Sequence, residues 1–281
     1  MFASDLHGKI GRYEKLFTIV LKETPDAVFL GGDLLPNQFN LTTTIEEFLN
    51  KTIFSKIEKI RKNQKKNIRF FVILGNDDPR VYESIFYAAH NKGLIEYINN
   101  KTVGFADKYV TGYSFVPPTP FLLKDWEKYD VSRYVDVGAV SPENGTRTVH
   151  VPLDEIKEST IADDLENLSL NAPVDKTIFL FHSPPYHSYL DTADLQGKTI
   201  DHAPLDVHIG SIAIQRFIKN KQPLLTLHGH AHESTRLTGQ WKEQFGRTIS
   251  LSAAHDGPEL ALIRFNTDDV QNATRELLVV S

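Results

Sequence analysis

Residues 70–79 read Phe-Phe-Val-Ile-Leu-Gly-Asn-Asp-Asp-Pro. Five consecutive apolar residues describe a strand buried on both faces, and the glycine, amide and carboxylates fall where that strand leaves the core. Taken alone, Gly75-Asn76-Asp77-Asp78-Pro79 are turn formers and need do no more than end a strand. The same arrangement recurs along the chain, and the recurrence decides its meaning. Phe2-Ala3-Ser4 leads into Asp5-Leu6-His7-Gly8, and Val28-Phe29-Leu30 leads into Gly31-Gly32-Asp33. Further on, Phe179-Leu180-Phe181 leads into His182-Ser183-Pro184-Pro185, and Leu224–Leu227 leads into His228-Gly229-His230-Ala231-His232.

Strands are expected at Ala27–Leu30, Ile68–Leu74, Thr177–Phe181 and Leu224–Leu227, with helices at Tyr13–Lys22, Ile45–Arg61 and Ile212–Lys219. Their alternation points to an α/β fold. In open α/β sheets ligands bind beyond the carboxyl ends of the strands, so polar residues distant in sequence converge there. In a locally extended Asp-x-His or His-x-His segment, alternate side chains point the same way and two ligands approach one centre from one backbone. Flanking glycines admit close backbone approach, and Pro184-Pro185 stops a helix from following His182. Only Met1–Ser4 precede Asp5, so the first strand is expected to be either short or trimmed in this numbering.

Residues 112–171 are less periodic. They hold Pro117-Pro118-Thr119-Pro120, the run Lys124-Asp125-Trp126-Glu127-Lys128-Tyr129 and an acidic stretch, Leu153–Leu168, that reads as one helix. No linker composition marks a boundary, so this segment is expected to elaborate a single domain spanning 1–281. Val116–Tyr129, with Trp126, is expected at the rim of a site, where Pro-rich aromatic loops shape access.

The chain has 281 residues, of which 41% are hydrophobic and 24% charged, the composition of a soluble globular protein. A formal net charge of -5 argues against a broadly basic surface that grips nucleic acid backbone nonspecifically, and leaves room only for a local basic groove. No apolar run approaches the roughly 18 residues of a membrane span, and no secretory leader pattern opens the chain, so a cytoplasmic location is expected. The absence of cysteine excludes disulfides and thiolate ligands. Any metal must be held by His, Asp, Glu or Asn, a donor set that suits manganese, iron, zinc or nickel.

In order, Asp5-x-His7, Gly32-Asp33, Gly75-Asn76, His182 and Gly229-His230-x-His232 resemble the motifs of the calcineurin-like metallophosphoesterases, covering residues 5–232. Gly229-His230-Ala231-His232-Glu233-Ser234 and His208-Ile209-Gly210-Ser211 look like the bacterial and archaeal small phosphodiesterase-like branch. The resemblance implies a four-layer α/β/β/α sandwich of two mixed sheets whose strand-end loops gather two divalent ions. It also implies the ligands: Asp5, His7 and His232 for the first ion, Asn76, His182 and His230 for the second, and Asp33 bridging both. The implied reaction is hydrolysis of a phosphate diester or small phosphomonoester, by attack of a metal-bridging hydroxide in line with the leaving oxygen. Two dications outweigh two carboxylates and a hydroxide by about one positive charge, which suits an anionic ester or nucleotide.

Two other functions are compatible with the same motifs. A partner-binding scaffold of this fold, such as a retromer subunit, tends to lose ligands, whereas every ligand position is filled here. A DNA nuclease of the recombination-repair type is disfavoured by the acidic balance.

One position departs from the family. A histidine usually follows the metal-binding Asn and protonates the leaving oxygen, but this chain has Asp77. An ionised carboxylate would repel a phosphoryl oxygen there, whereas a neutral one could donate a proton. Asn76 and Asp77 are therefore the candidates at the reaction centre. His187, His202, His208 and His228 are candidate substitute acids, each equally readable as a structural histidine. His208 and Ser211 are candidate substrate contacts; Gly210-Ser211 opens an expected helix, where free amides receive a phosphate or, as favoured here, Ser211 caps the helix.

Overall fold

A computed structural model of the chain describes residues 1–37, 43–63 and 66–280. Its strands are β1 (Phe2–Ala3), β2 (Ala27–Gly31), β3 (Arg69–Ile73), β4 (Glu96–Tyr97), β5 (Lys101–Phe105), β6 (Lys108–Tyr113) and β7 (Thr177–Phe181). They continue with β8 (Thr199–Ile200), β9 (Ala203–Pro204), β10 (Leu225–His228), β11 (Lys242–Phe245), β12 (Thr248–Ser252), β13 (Leu260–Asn266) and β14 (Asp269–Leu278). The α-helices are α1 (Ile10–Glu23), α2 (Ile45–Leu49), α3 (Ser55–Asn63), α4 (Glu83–Asn91), α5 (Leu153–Glu158), α6 (Ile161–Ser169), α7 (Ile212–Lys221) and α8 (Ser234–Thr238).

Two six-stranded mixed sheets, ordered β14-β13-β1-β2-β3-β4 and β11-β12-β10-β7-β6-β5, lie face to face between helices, giving the four-layer sandwich. The period-2 alternation of a strand explains why their central runs are apolar throughout. Phe29, Phe71 and Ile73 point into the core between the sheets, meeting Ile178, Leu180, Leu225 and Leu227. Val28, Leu30, Phe70 and Val72 point outward beneath the helices. Phe29 stacks on Phe71 with ring centroids 5.1 Å apart, while on the outer faces Phe17 of α1 meets Phe70 and Phe217 of α7 meets Phe179.

Two expected helices differ from their sequence outline. Ile45–Arg61 is helical throughout but not uniform, because a π-helical turn, Asn50–Phe54, separates α2 from α3. The acidic stretch Leu153–Leu168 is two helices. Thr160 is extended and its hydroxyl accepts from the Asp163 N–H at 3.1 Å, so it caps α6 and ends the helical path of α5.

Between β6 and α5 the chain holds itself by isolated bridges, Val116 to Glu127 and Leu123 to Thr146. At its centre Lys124 and Glu127 form a fully buried ion pair at 2.5 Å, and Thr119 donates its N–H and hydroxyl to the same carboxylate. Trp126 is not a rim residue. It is completely buried, and its indole N–H donates to the Asp78 carbonyl at 2.7 Å, fastening this segment to the loop that follows β3.

Candidate metal centre

β1, β2 and β3 run parallel in one sheet, and β7 and β10 run parallel in the other. Their carboxyl ends therefore open at the same edge of the sandwich, and the five motifs meet there. Ladder-like bonds continue past the strands: Asp5 N–H to the Gly32 carbonyl (3.0 Å), His7 N–H to the Asp33 carbonyl (2.8 Å) and Gly229 N–H to the His182 carbonyl (2.9 Å). Asp5, His7, Asp33 and His230 all take left-handed backbone conformations, with φ of 57°, 45°, 52° and 70°. Each such conformation costs about 1–3 kcal/mol in a non-glycine residue and turns a side chain out of the strand path. Four of them at one site mark it as built for something other than stability.

Asp5, His7, Asp33 and His232 each offer a ligand atom, and these atoms lie within 4.8 Å of one another. The His7 and His232 Nε2 atoms are 3.0 Å apart, and His232 Nε2 is 3.2 Å from Asp5 Oδ1. Beside this group, Asn76 Oδ1 lies 3.0 Å from His182 Nε2 and 2.7 Å from His230 Nδ1. Asp33 joins the two groups: its Oδ2 is 3.3 Å from His182 Nε2 and 3.9 Å from His7 Nε2. A Cβ at Gly75 would come within 2.3 Å of Asp33 Oδ1, and one at Gly229 within 2.7 Å of Asp5 Oδ2. Those two glycines give the cluster its room.

The charges are arranged in opposition. Burial pushes the Asp5 carboxyl up, but hydrogen bonding and charge from His232 outweigh it and hold Asp5 at about 2. Asp33 is likewise raised by burial and then driven well below the carboxylate range by His182. The same pairings lift His182 to about 10 and His232 to about 9 against their burial, while burial and the His182 charge lower His230 to about 3. The two buried carboxylates thus face the histidines that offset their charge. Asp5 Oδ2 is buried without a hydrogen-bond partner, although buried carboxylate oxygens are normally satisfied. An orphaned anionic oxygen among imidazole nitrogens is the donor set that fits a divalent cation.

The quoted stretch now divides by role. Asn76 contributes its amide oxygen to the second group. Asp77 is half exposed; its N–H donates to Asp33 Oδ1 at 2.9 Å, and its carboxylate accepts from Asn76 Nδ2 at 3.1 Å. Asp78, which sequence reasoning missed, is fully buried and accepts from the N–H groups of Leu34 (2.9 Å), Leu35 (2.7 Å) and Gly75 (2.9 Å). It clamps the loop bearing Asp33 to the loop bearing Asn76. Burial, reinforced by the Asp33 charge, pushes its carboxyl up to about 7 against those three amides.

The remaining candidates separate clearly. His228 is buried with both ring nitrogens engaged, by the Ser183 carbonyl (2.9 Å) and the Thr226 hydroxyl (2.8 Å), and burial lowers it to about 4. Ser211 is also buried: its hydroxyl donates to Asp130 at 2.5 Å and accepts from the Ile214 N–H, capping α7. Asp130 further accepts from the N–H groups of Ile212 and Ala213, so the first turn of α7 is already filled by a carboxylate. His202 is exposed in the turn between β8 and β9, and His187 is exposed beside His208. His208 is half-buried and bonded to Asp191.

The family profile described as calcineurin-like phosphoesterase matches residues 1–234. The chain belongs to that family. Its metal-dependent phosphoester chemistry agrees with a buried Asp/His cluster suited to divalent ions. Among solved structures, the phosphoesterase is similar to the TT1561 protein of Thermus thermophilus, at 16% identity and a TM-score of 0.57, over 98% of this chain and 96% of that one. It is also similar to a dimetal phosphatase from Danio rerio, at 10% identity and a TM-score of 0.52, over 90% of this chain and 86% of that one. At such identities these likenesses speak for the fold alone. No curated protein matches in sequence. Among the described residues, no helix is long and apolar enough to cross a membrane.

Proposed function

We propose that the phosphoesterase hydrolyses a phosphate diester or small phosphomonoester, a nucleotide included, at a centre of two divalent ions. Asp5, His7 and His232 hold one ion, Asn76, His182 and His230 hold the other, and Asp33 is shared. The observation that carries this is the position of the Asp33 carboxylate, within 4 Å of a ring nitrogen from each group. When bound, such ions neutralise phosphoryl charge and lower the pKa of a water, supplying a nucleophile at neutral pH.

The chain's own residues supply the rest. Asp77 turns Asn76 so that its oxygen faces His182 and His230, and Asp78 fixes the separation of the Asp33 and Asn76 loops. Manganese, iron, zinc and nickel all suit the donors. Residues 1–281 act as one domain in this scheme, in the cytoplasm. A pure scaffold would have no use for four left-handed ligand positions, so the catalytic function is favoured over partner binding. Metal analysis of protein purified without chelator tests the assignment. Two ions per chain are expected, falling to one in His182→Ala; an unchanged content in that variant would make His182 a structural residue.

A further inference from the structure

Asp77 leaves open which group protonates the departing oxygen, and a second buried carboxylate bears on that question. Asp191 lies in the loop that begins at His182, and is fully buried. It accepts from the N–H groups of His187 (2.9 Å), Ser188 (3.0 Å) and Gly210 (3.2 Å), and from the Ser188 hydroxyl (3.4 Å). Its fifth donor is a side chain: His208 Nδ1, at 2.8 Å. So heavily held a carboxylate cannot swing away, and it fixes both the orientation of the His208 ring and the nitrogen that keeps its proton. The rings of His187, 4.6 Å away, and Tyr186, 5.7 Å away, wall in the imidazole. Among the described residues nothing hydrogen-bonds His208 Nε2, and the side chain keeps 21% of its surface exposed. Asp191 is therefore spent on positioning, and Nε2 is the free end.

The place of this pair in the fold matters as much as its geometry. Thr192, next to Asp191, bridges to His208 and donates its N–H to the Ser234 hydroxyl at 3.2 Å, two residues beyond His232. Pro185, three residues beyond His182, bridges to Ser211. His208 is thus tied through Thr192 to the segment that follows His232, and it lies three residues before Ser211, which is bridged to the segment that follows His182.

We propose that His208 is the acid that delivers a proton to the leaving oxygen, with Asp191 as its positioning residue; this rests on the phosphoesterase function above. As the oxygen of the attacking water bonds to phosphorus, the phosphorus–oxygen bond to the leaving group breaks and its electron pair stays on the leaving oxygen. That oxygen takes the Nε2 proton and departs as an alcohol. His208 is left neutral, still donating Nδ1–H to Asp191, and regains its proton from solvent, which also receives the proton of the attacking water.

His208→Gln, loaded with the metal that best supports wild-type activity, is assayed on a nitrophenyl phosphate ester and on an alkyl phosphate ester. The alkyl ester needs the proton and should lose about 10²–10⁴-fold, the usual contribution of general acid catalysis. The nitrophenyl ester, whose phenol departs unassisted, should lose under about tenfold. Metal content should match the wild type. Equal losses on both esters, or none on the alkyl ester, overturn the role of His208 while leaving the phosphoesterase function standing. A wild type that hydrolyses neither ester with any divalent metal overturns both. Imidazole nitrogen NMR on the unmodified zinc-loaded protein gives a readout that does not depend on turnover or on the variant folding. His208 should show a protonated, hydrogen-bonded Nδ1, and a neutral ring with a bare Nδ1 would defeat the proposal.

Discussion

Replacing Asp33 by alanine strikes both halves of the centre at once. Asp33 is 2% exposed, and its two oxygens face three partners: the Asp77 N–H at 2.9 Å, His182 Nε2 at 3.3 Å and His7 Nε2 at 3.9 Å. Loss of a partner outside the ligand shell typically costs about 10–100-fold in metal affinity, so loss of a carboxylate shared by two ions should exceed about 100-fold for each. In the metal-free fold the Asp77 N–H is left without an acceptor and buried His182 loses the carboxylate that faces it, while like-charge repulsion with Asp5 is relieved in partial compensation. The assay pairs metal analysis after gel filtration with urea unfolding in chelator. Asp33→Ala should carry far fewer than two ions per chain, show almost no ester hydrolysis and lose no more than about 5 kcal/mol of metal-free stability. A variant that keeps both ions and full activity would refute the placement of Asp33 between them.

The other residues of the quoted stretch and its anchor give separable outcomes. Asp77→Ala removes the acceptor of Asn76 Nδ2 but keeps the backbone bond to Asp33, so one ion should weaken by about 10–100-fold in a metal titration; unchanged affinity would deny Asp77 an orienting role. Asp78→Asn sets a buried amide donor among three backbone N–H groups, and should cost about 2 kcal/mol or more in urea unfolding; a loss below about 0.5 kcal/mol would contradict the clamp. Trp126→Phe keeps most of the packing and deletes the bond to the Asp78 carbonyl, for about 1 kcal/mol, with equal effects on large and small esters. A loss confined to large esters would restore Trp126 to the rim.

The fold was legible where apolar runs ended on polar punctuation. β2, β3, β7 and β10 each begin and end within about two residues of the runs that announce them, since a strand buried on both faces is predominantly apolar, with buried Thr226 of β10 hydrogen-bonded to Ser250. The convergence of Asp5, His7, Asp33, Asn76, His182, His230 and His232 could be anticipated for the same reason, as each lies just past such a run. Asp78 could not. In Asn-Asp-Asp, nothing local says which carboxylate turns inward, because the amides that claim Asp78 belong to Leu34 and Leu35, far along the chain. Asp191 and His208 escaped notice as a pair because 17 residues separate them and their meeting is made by the loop around Gly210. Trp126 misled because aromatic, Pro-rich loop sequence suits an exposed rim and a buried anchor equally well. The break in the 153–168 stretch was written in the sequence: Thr160 with Asp163 three residues later is a capping pattern, outweighed by the helical periodicity on either side.

Hydrolysis of a mixed panel of phosphate mono- and diesters by protein first stripped with chelator, then titrated with manganese, iron, zinc or nickel, bears most directly on the dinuclear centre. The stripped protein should be inert, and activity should rise with added metal and level off near two equivalents per chain. Undiminished activity after stripping, or saturation at one equivalent, would contradict a centre in which Asp33 serves two ions.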